Sequence, residues 1–170
     1  MRFRLVLLPS LVAVLAVIGA CGKEIGDACV ISTDCDPNGE RVCDPASIAG
    51  YCTIQGCDVD TCPGESVCVR FFTGSFSNKE CDHTAPGTAC SFDELCSLDD
   101  HCVARSSEVR FCMRKCGSND DCRGDENDDG ISDYECRDLE KMKLHGGEPV
   151  LQPDEIVDER SPKFCAASPP

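Results

Sequence analysis

The chain has 170 residues, 17 of them cysteine, with 31 acidic residues, 16 Lys plus Arg and no Trp. With Arg2 and Arg4 of the first twenty residues set aside, 14 basic residues face 31 acids, and only 38 of the remaining 150 positions carry conventional apolar side chains. That excludes a large-cored enzyme and has the wrong sign for a phosphate backbone, and one cysteine in ten residues points instead to a scaffold in which cross-links replace burial.

Residues 1–20 read as an export signal. Met1-Arg-Phe-Arg4 is a short positive segment, and Leu5–Ala20 is an apolar run broken only by Pro9, Ser10 and Gly19. Sixteen helical residues reach about 24 Å, short of the roughly 30 Å hydrocarbon layer, so removal after export fits better than a permanent span. Its end, Ile18-Gly19-Ala20-Cys21, resembles the lipobox of bacterial lipoproteins. The resemblance implies a covalent lipid on Cys21: a diacylglycerol on the sulfur, with Cys21 becoming the acylated mature N-terminus. Ordinary secretory cleavage, with Cys21 as one more half-cystine, is the alternative. Setting Cys21 aside leaves sixteen cysteines, an even number that can pair completely. Two or more acyl chains hold a protein stably at a bilayer. Gly22 stands where similar lipoproteins retained in the inner membrane carry Asp, which implies an outer-membrane destination in a cell that has one. Residues 21–28 then form a short lipidated tether, at most about 27 Å long.

Cys29, Cys35, Cys43, Cys52, Cys57, Cys62, Cys68 and Cys81 make one set, and Cys90, Cys96, Cys102, Cys112, Cys116, Cys122, Cys136 and Cys165 a second. The first five gaps agree within two residues, and neighbours align with them. Gly26-Asp-Ala-Cys29 matches Gly87-Thr-Ala-Cys90, and Tyr51-Cys52 matches Phe111-Cys112. This predicts an internal duplication of small disulfide-rich modules, mostly loops and short β-hairpins, over 29–81 and 90–165. Each set is expected to close its own four bridges, with roughly a hundred pairings open per set. Disulfides on this scale require the oxidising compartment that the leader provides. Zinc sites favour Cys-x₂-Cys; the closest pair here is Cys112 and Cys116, and His83, His101 and His145 are dispersed.

Ser66–Phe76 reads as a hairpin turning near Gly74, with Phe71, Phe72 and Phe76 as a satellite core or a contact patch. In the second set, the gap from Cys122 to Cys136 exceeds its counterpart by eight residues and holds Asp125-Glu-Asn127-Asp-Asp129-Gly130-Ile131-Ser-Asp133. This insertion, 123–135, resembles the calcium loops of EF-hands, dockerins and thrombospondin type 3 repeats. The resemblance implies Ca²⁺ ligation by Asp125, Asn127 and Asp129 side chains, the Ile131 carbonyl, and Asp133 directly or through water. It departs from an EF-hand at position 12, where Cys136 replaces the bidentate Glu; Glu135 is one residue early and Asp138 two late. A solvated acidic turn is the plain alternative. Ser132-x-x-Glu135 suggests the cap of a short helix near 133–145, ending before Gly146-Gly147. Gly146–Pro162 reads as a long loop, and 166–170 as a flexible tail.

No Gly-x-Ser-x-Gly, His-Glu-x-x-His, Walker or dinucleotide motif occurs. The expectation is a non-catalytic lipoprotein of the cell envelope. It would be anchored outside the cytoplasm through its acyl chains and act as a binding or structural module, calcium-dependent if the loop is occupied. Its partners would be the membrane and an envelope component, not nucleic acid. The alternative class is a protease or other enzyme inhibitor presenting rigid loops such as Pro45–Gly50, because little entropy is lost when a cross-linked loop binds.

Overall fold

Four times along the chain, two cysteines of a loop are joined to two cysteines that face each other across antiparallel strands. The computed structural model describes residues 22–74, 77–85, 89–126, 128 and 130–169. The elements run α1 (Ser32–Cys35), β1 (Val42–Asp44), β2 (Tyr51–Thr53), β3 (Ser66–Phe72), β4 (Glu94–Cys96), β5 (Cys102–Ala104), β6 (Glu108–Arg114), β7 (Tyr134–Arg137), α2 (Leu139–His145), β8 (Glu148–Pro149) and β9 (Phe164–Ala167). Single 3₁₀ turns lie at Arg105–Ser107 and Asn119–Asp121.

The facing pairs are Cys43 with Cys52 (β1–β2), Cys68 with Cys112 (β3–β6), Cys96 with Cys102 (β4–β5) and Cys136 with Cys165 (β7–β9). Directly opposed residues point to the same face of a ladder, so the two sulfurs project side by side. Each then takes one cysteine of the preceding loop. The bridges are Cys29–Cys43 with Cys35–Cys52, Cys57–Cys68 with Cys62–Cys112, Cys81–Cys96 with Cys90–Cys102, and Cys116–Cys136 with Cys122–Cys165. Within every unit the first cysteine joins the third and the second joins the fourth, and three of the four sulfurs lie within 4.8 Å of one another.

The chain is thus small and disulfide-rich, built mostly of short strands and hairpins. Its bridges are distributed differently from the expectation that each set of eight closes on itself, because Cys62–Cys112 and Cys81–Cys96 cross between the sets. The reason is an insertion: the third unit, Cys81 to Cys102, lies between the third and fourth cysteines of the second. Counting by eights therefore divides both of them.

A modest core joins the units. Ile25, Tyr51, Val69, Leu98, Met113, Tyr134, Met142, Val150, Val157 and Phe164 pack with Cys57, Cys68 and Cys112, and Phe71 and Phe111 lie against them half-buried. β3 is the centre of a three-stranded sheet, β6-β3-β8. Ser66–Phe72 is therefore not one arm of a local hairpin. Its partner β6 arrives from beyond the inserted third unit, and Phe76 lies outside the described residues.

Four further expectations change. Residues 22–28 are no free tether: Ile25 is fully buried, the Gly26 amide donates to Cys52 O (2.9 Å), and the Cys52 amide donates to Asp27 O (2.9 Å). The helix within 133–145 is Leu139–His145, capped by Asp138, whose carboxylate accepts the Lys141 amide; Ser132 instead donates to Tyr134 O. Residues 134–137 are strand because β9 is bridged to them. Gly146–Pro162 is anchored at β8, by the Val150 amide on Cys68 O (2.8 Å), and by buried Val150 and Val157. The tail begins later than 166, since Ala166 and Ala167 belong to β9 and the Ser168 amide donates to Asp133 O (2.8 Å).

Candidate functional site

The acidic loop lies in the fourth unit, between Cys122 and β7. Its start and end are held together by the Asp133 amide donating to Gly124 O (3.1 Å). Inside it, the Gly130 amide donates to Asp125 Oδ2 at 2.5 Å, and Gly130 takes φ +81°, the left-handed conformation in which glycine avoids a Cβ clash. The Glu126 amide donates to Asp133 Oδ2 at 2.7 Å. Positions 1 and 9 of the loop therefore both turn a carboxylate oxygen toward the loop backbone. Asp133 is buried at its base, whereas Ile131 is exposed. Asn127 and Asp129 lie outside the described residues, as does Cys21 with the whole of 1–20.

The two carboxylates considered for completing the calcium set are engaged elsewhere. Asp138 caps α2. Glu135, buried in β7, accepts from Arg137 Nε (3.1 Å) and lies 2.6 Å from His145 Nδ1 and 3.5 Å from Lys141 Nζ. Burial pushes the Glu135 carboxyl upward, but His145, Arg137 and Lys141 outweigh it and hold it below the usual glutamate value. Arg137 spends its other nitrogens on the carbonyls of His145, Gly146 and Ala167, tying the end of α2 to β9. This cluster joins elements; it does not extend the loop.

A second buried pair supports the central sheet. Arg70 Nε donates to Glu148 Oε1 at 2.9 Å, and burial, only partly offset by Arg70, raises the Glu148 carboxyl above its ordinary value. Near the loop, the Arg123 guanidinium lies 4.2 Å from the Tyr134 ring centroid and 5.7 Å from that of Tyr51, and the two rings stack at 5.7 Å. Arg123 also donates to the carbonyls of Ile48 and Gly50 and to the Tyr134 hydroxyl, which itself donates to Ile48 O. Burial pushes the Tyr51 phenol up to about 12. Pro45–Gly50 is consequently strapped to the body. Gly50 sits so close to Cys29 that a Cβ would fall 2.0 Å from its carbonyl oxygen.

One recurring device was not apparent from the sequence. In the first, second and fourth units the residue before the second cysteine caps the loop entering it. Asp34 Oδ2 accepts the Val30 and Ile31 amides (2.8 and 3.1 Å), Asp121 Oδ2 accepts the Gly117 and Ser118 amides (2.7 and 3.0 Å), and Thr61 Oγ1 accepts the Asp58 amide (2.7 Å). These amide bonds hold both aspartates below the usual carboxylate range. The signal was present as Asp34-Cys35 and Asp121-Cys122.

The three-sulfur groups have metal-like proximity, but their sulfurs are consumed in disulfides and offer no thiolate. A cleft of about 350 Å³ is lined by Tyr51, Phe71, Phe111, Met113, Arg137 and His145, among others. Among the described residues no helix is long and apolar enough to cross a membrane. No protein family, curated protein or solved structure matches the chain.

Proposed function

We propose that the chain is a lipid-anchored envelope protein, held outside the cytoplasm, whose cross-linked body is a non-catalytic binding or structural module. The observation that carries this reading is the pairing of all sixteen cysteines from Cys29 to Cys165 with one another. Cys21, the residue at the end of the lipobox-like Ile18-Gly19-Ala20, is the one left over. An export signal, an oxidising compartment and a spare cysteine at the cleavage position are three demands that one reading satisfies. Intact-mass analysis of protein extracted from its native membrane, with and without reduction and alkylation, tests it. The expected mass lacks 1–20, carries acyl chains and gains sixteen alkyl groups only after reduction. An unacylated chain, or thiols that react before reduction, overturns it.

Within that reading the acidic loop is a weak calcium site with Asp125, Asn127, Asp129, Ile131 and Asp133 as its ligand set. The support is the Gly130 amide on Asp125, which wraps the loop around its first carboxylate, and the excess of acids, 15 against 5 Lys plus Arg over 116–160. A cation relieves that repulsion. With no position-12 glutamate, affinity belongs to the extracellular range of about 10⁻⁴–10⁻³ M. Calorimetric titration with millimolar CaCl₂ should show binding and a raised Tm, both abolished by Asp125→Ala with Asp129→Ala. Absence of heat and of a Tm shift in the parent protein removes the site.

A further inference from the structure

We propose that Val30 and Ile31 insert into the headgroup layer of the bilayer beside the acyl chains on Cys21, fixing the body against the membrane in one orientation. This rests on the lipid-anchor reading. Gly22, one peptide unit after the attachment residue, already lies against the body. A Cβ on Gly22 would lie 2.9 Å from the Cys35 carbonyl oxygen, so the chain enters at the C-terminal end of α1. That helix has four residues, about 6 Å of rise, and Val30 and Ile31 immediately precede it. Lys23 Nζ donates to Ala28 O at 2.6 Å, fastening the anchor side to the segment that carries the apolar pair.

The pair is built for such a contact. Val30 is 83% and Ile31 58% exposed, adjacent in sequence, whereas Phe92, Ile131, Leu144 and Ile156 are exposed singly. An apolar side chain that enters lipid drags its backbone amide with it, and an unbonded amide opposes entry. Here both amides are already taken by Asp34 Oδ2, and the Ile31 carbonyl accepts the Asp34 amide (3.0 Å). The ionised Asp34 and Lys23 limit the depth to the headgroups. Gly22, the residue after the acylated cysteine, packs on Cys35, so the acyl chains hold this end of the body at the interface.

The chain contains no Trp, so I31W and V30W each introduce a single fluorophore at an exposed position, with F92W (Phe92 is 96% exposed) as the control in the third unit. Each full-length precursor is expressed with its leader and extracted from membranes. Intact mass is recorded for acylation and bridge count, and the protein is reconstituted into phosphatidylcholine vesicles containing lipid brominated at defined depths. For acylated protein the expected result is blue-shifted emission from I31W and V30W, quenched most by the shallowest bromines, with F92W unshifted and unquenched. Acylated I31W and V30W with water-like, unquenched emission overturn this proposal and leave the anchor standing. Protein without acyl chains overturns the anchor reading and this proposal together.

Discussion

In the first and third units, 8 and 5 residues separate the two strand cysteines; in the second and fourth, 43 and 28 intervene. The cystine geometry is the same in all four, yet the surroundings differ. The first unit closes on its own sulfur: Cys29, Cys35 and Cys52 are buried together with Cys43 against them and no aliphatic side chain among them. The open units bring together strands from distant parts of the chain and rest on Val69, Met113, Tyr134, Met142, Val150 and Phe164. A short hairpin loses little chain entropy, so two bridges suffice, whereas a long closure needs apolar burial as well. Openness is also what admits additions. The second unit hosts the entire third unit between its strand cysteines, and the fourth hosts α2 and β8.

Phe164→Ala, in the open fourth unit, should cost the most, about 3–5 kcal/mol from a fully buried ring. Val103→Ala in the closed third unit should cost only about 2 kcal/mol. Denaturant unfolding with bridges intact measures both, and equal losses would mean that closed and open units share one dependence on packing. Next in size, removing Cys62–Cys112, with a sequence separation of 50, should cost about 4 kcal/mol. Removing Cys90–Cys102, with a separation of 12, should cost about 3 kcal/mol. The reverse order in paired double-alanine variants would show that strain or residual structure outweighs loop entropy.

The smallest effect concerns a device that one closed and one open unit share. Asp34 and Asp121 are both lowered in the folded state by backbone amides. Their stabilisation is therefore complete above the ordinary aspartate range and is lost as pH falls through their depressed folded values. Glu148 has the opposite sign, since burial raises it and protonation on acidification favours the folded state. Stability measured from pH 5 to pH 2 should fall less steeply in a D34N/D121N variant than in the parent; parallel curves would assign the acid limb to other carboxylates.

Much of the local chemistry was legible. Asp125 through Asp133 was readable as an acidic turn, and Gly146 already marked the end of α2. Residues that act through distant partners were not legible. Ser132 looks like a helix cap until β9 pairs with β7 and makes 134–137 a strand. Glu135 looks like a spare calcium ligand until Arg137 and His145 enclose it. Ser66–Phe76 looks like a local hairpin because nothing in those residues announces that β6 comes from beyond the third unit.

Composition and cysteine count alone determined that this protein is cross-linked and poor in oil, because those properties are sums over residues and need no geometry. Which sulfur meets which, and how the units nest, belonged to the tertiary structure. A cysteine's partner is chosen by the face of the strand it occupies and by the strand opposite, and a strand's partner depends on chain closure over dozens of residues. Spacing along the sequence records neither.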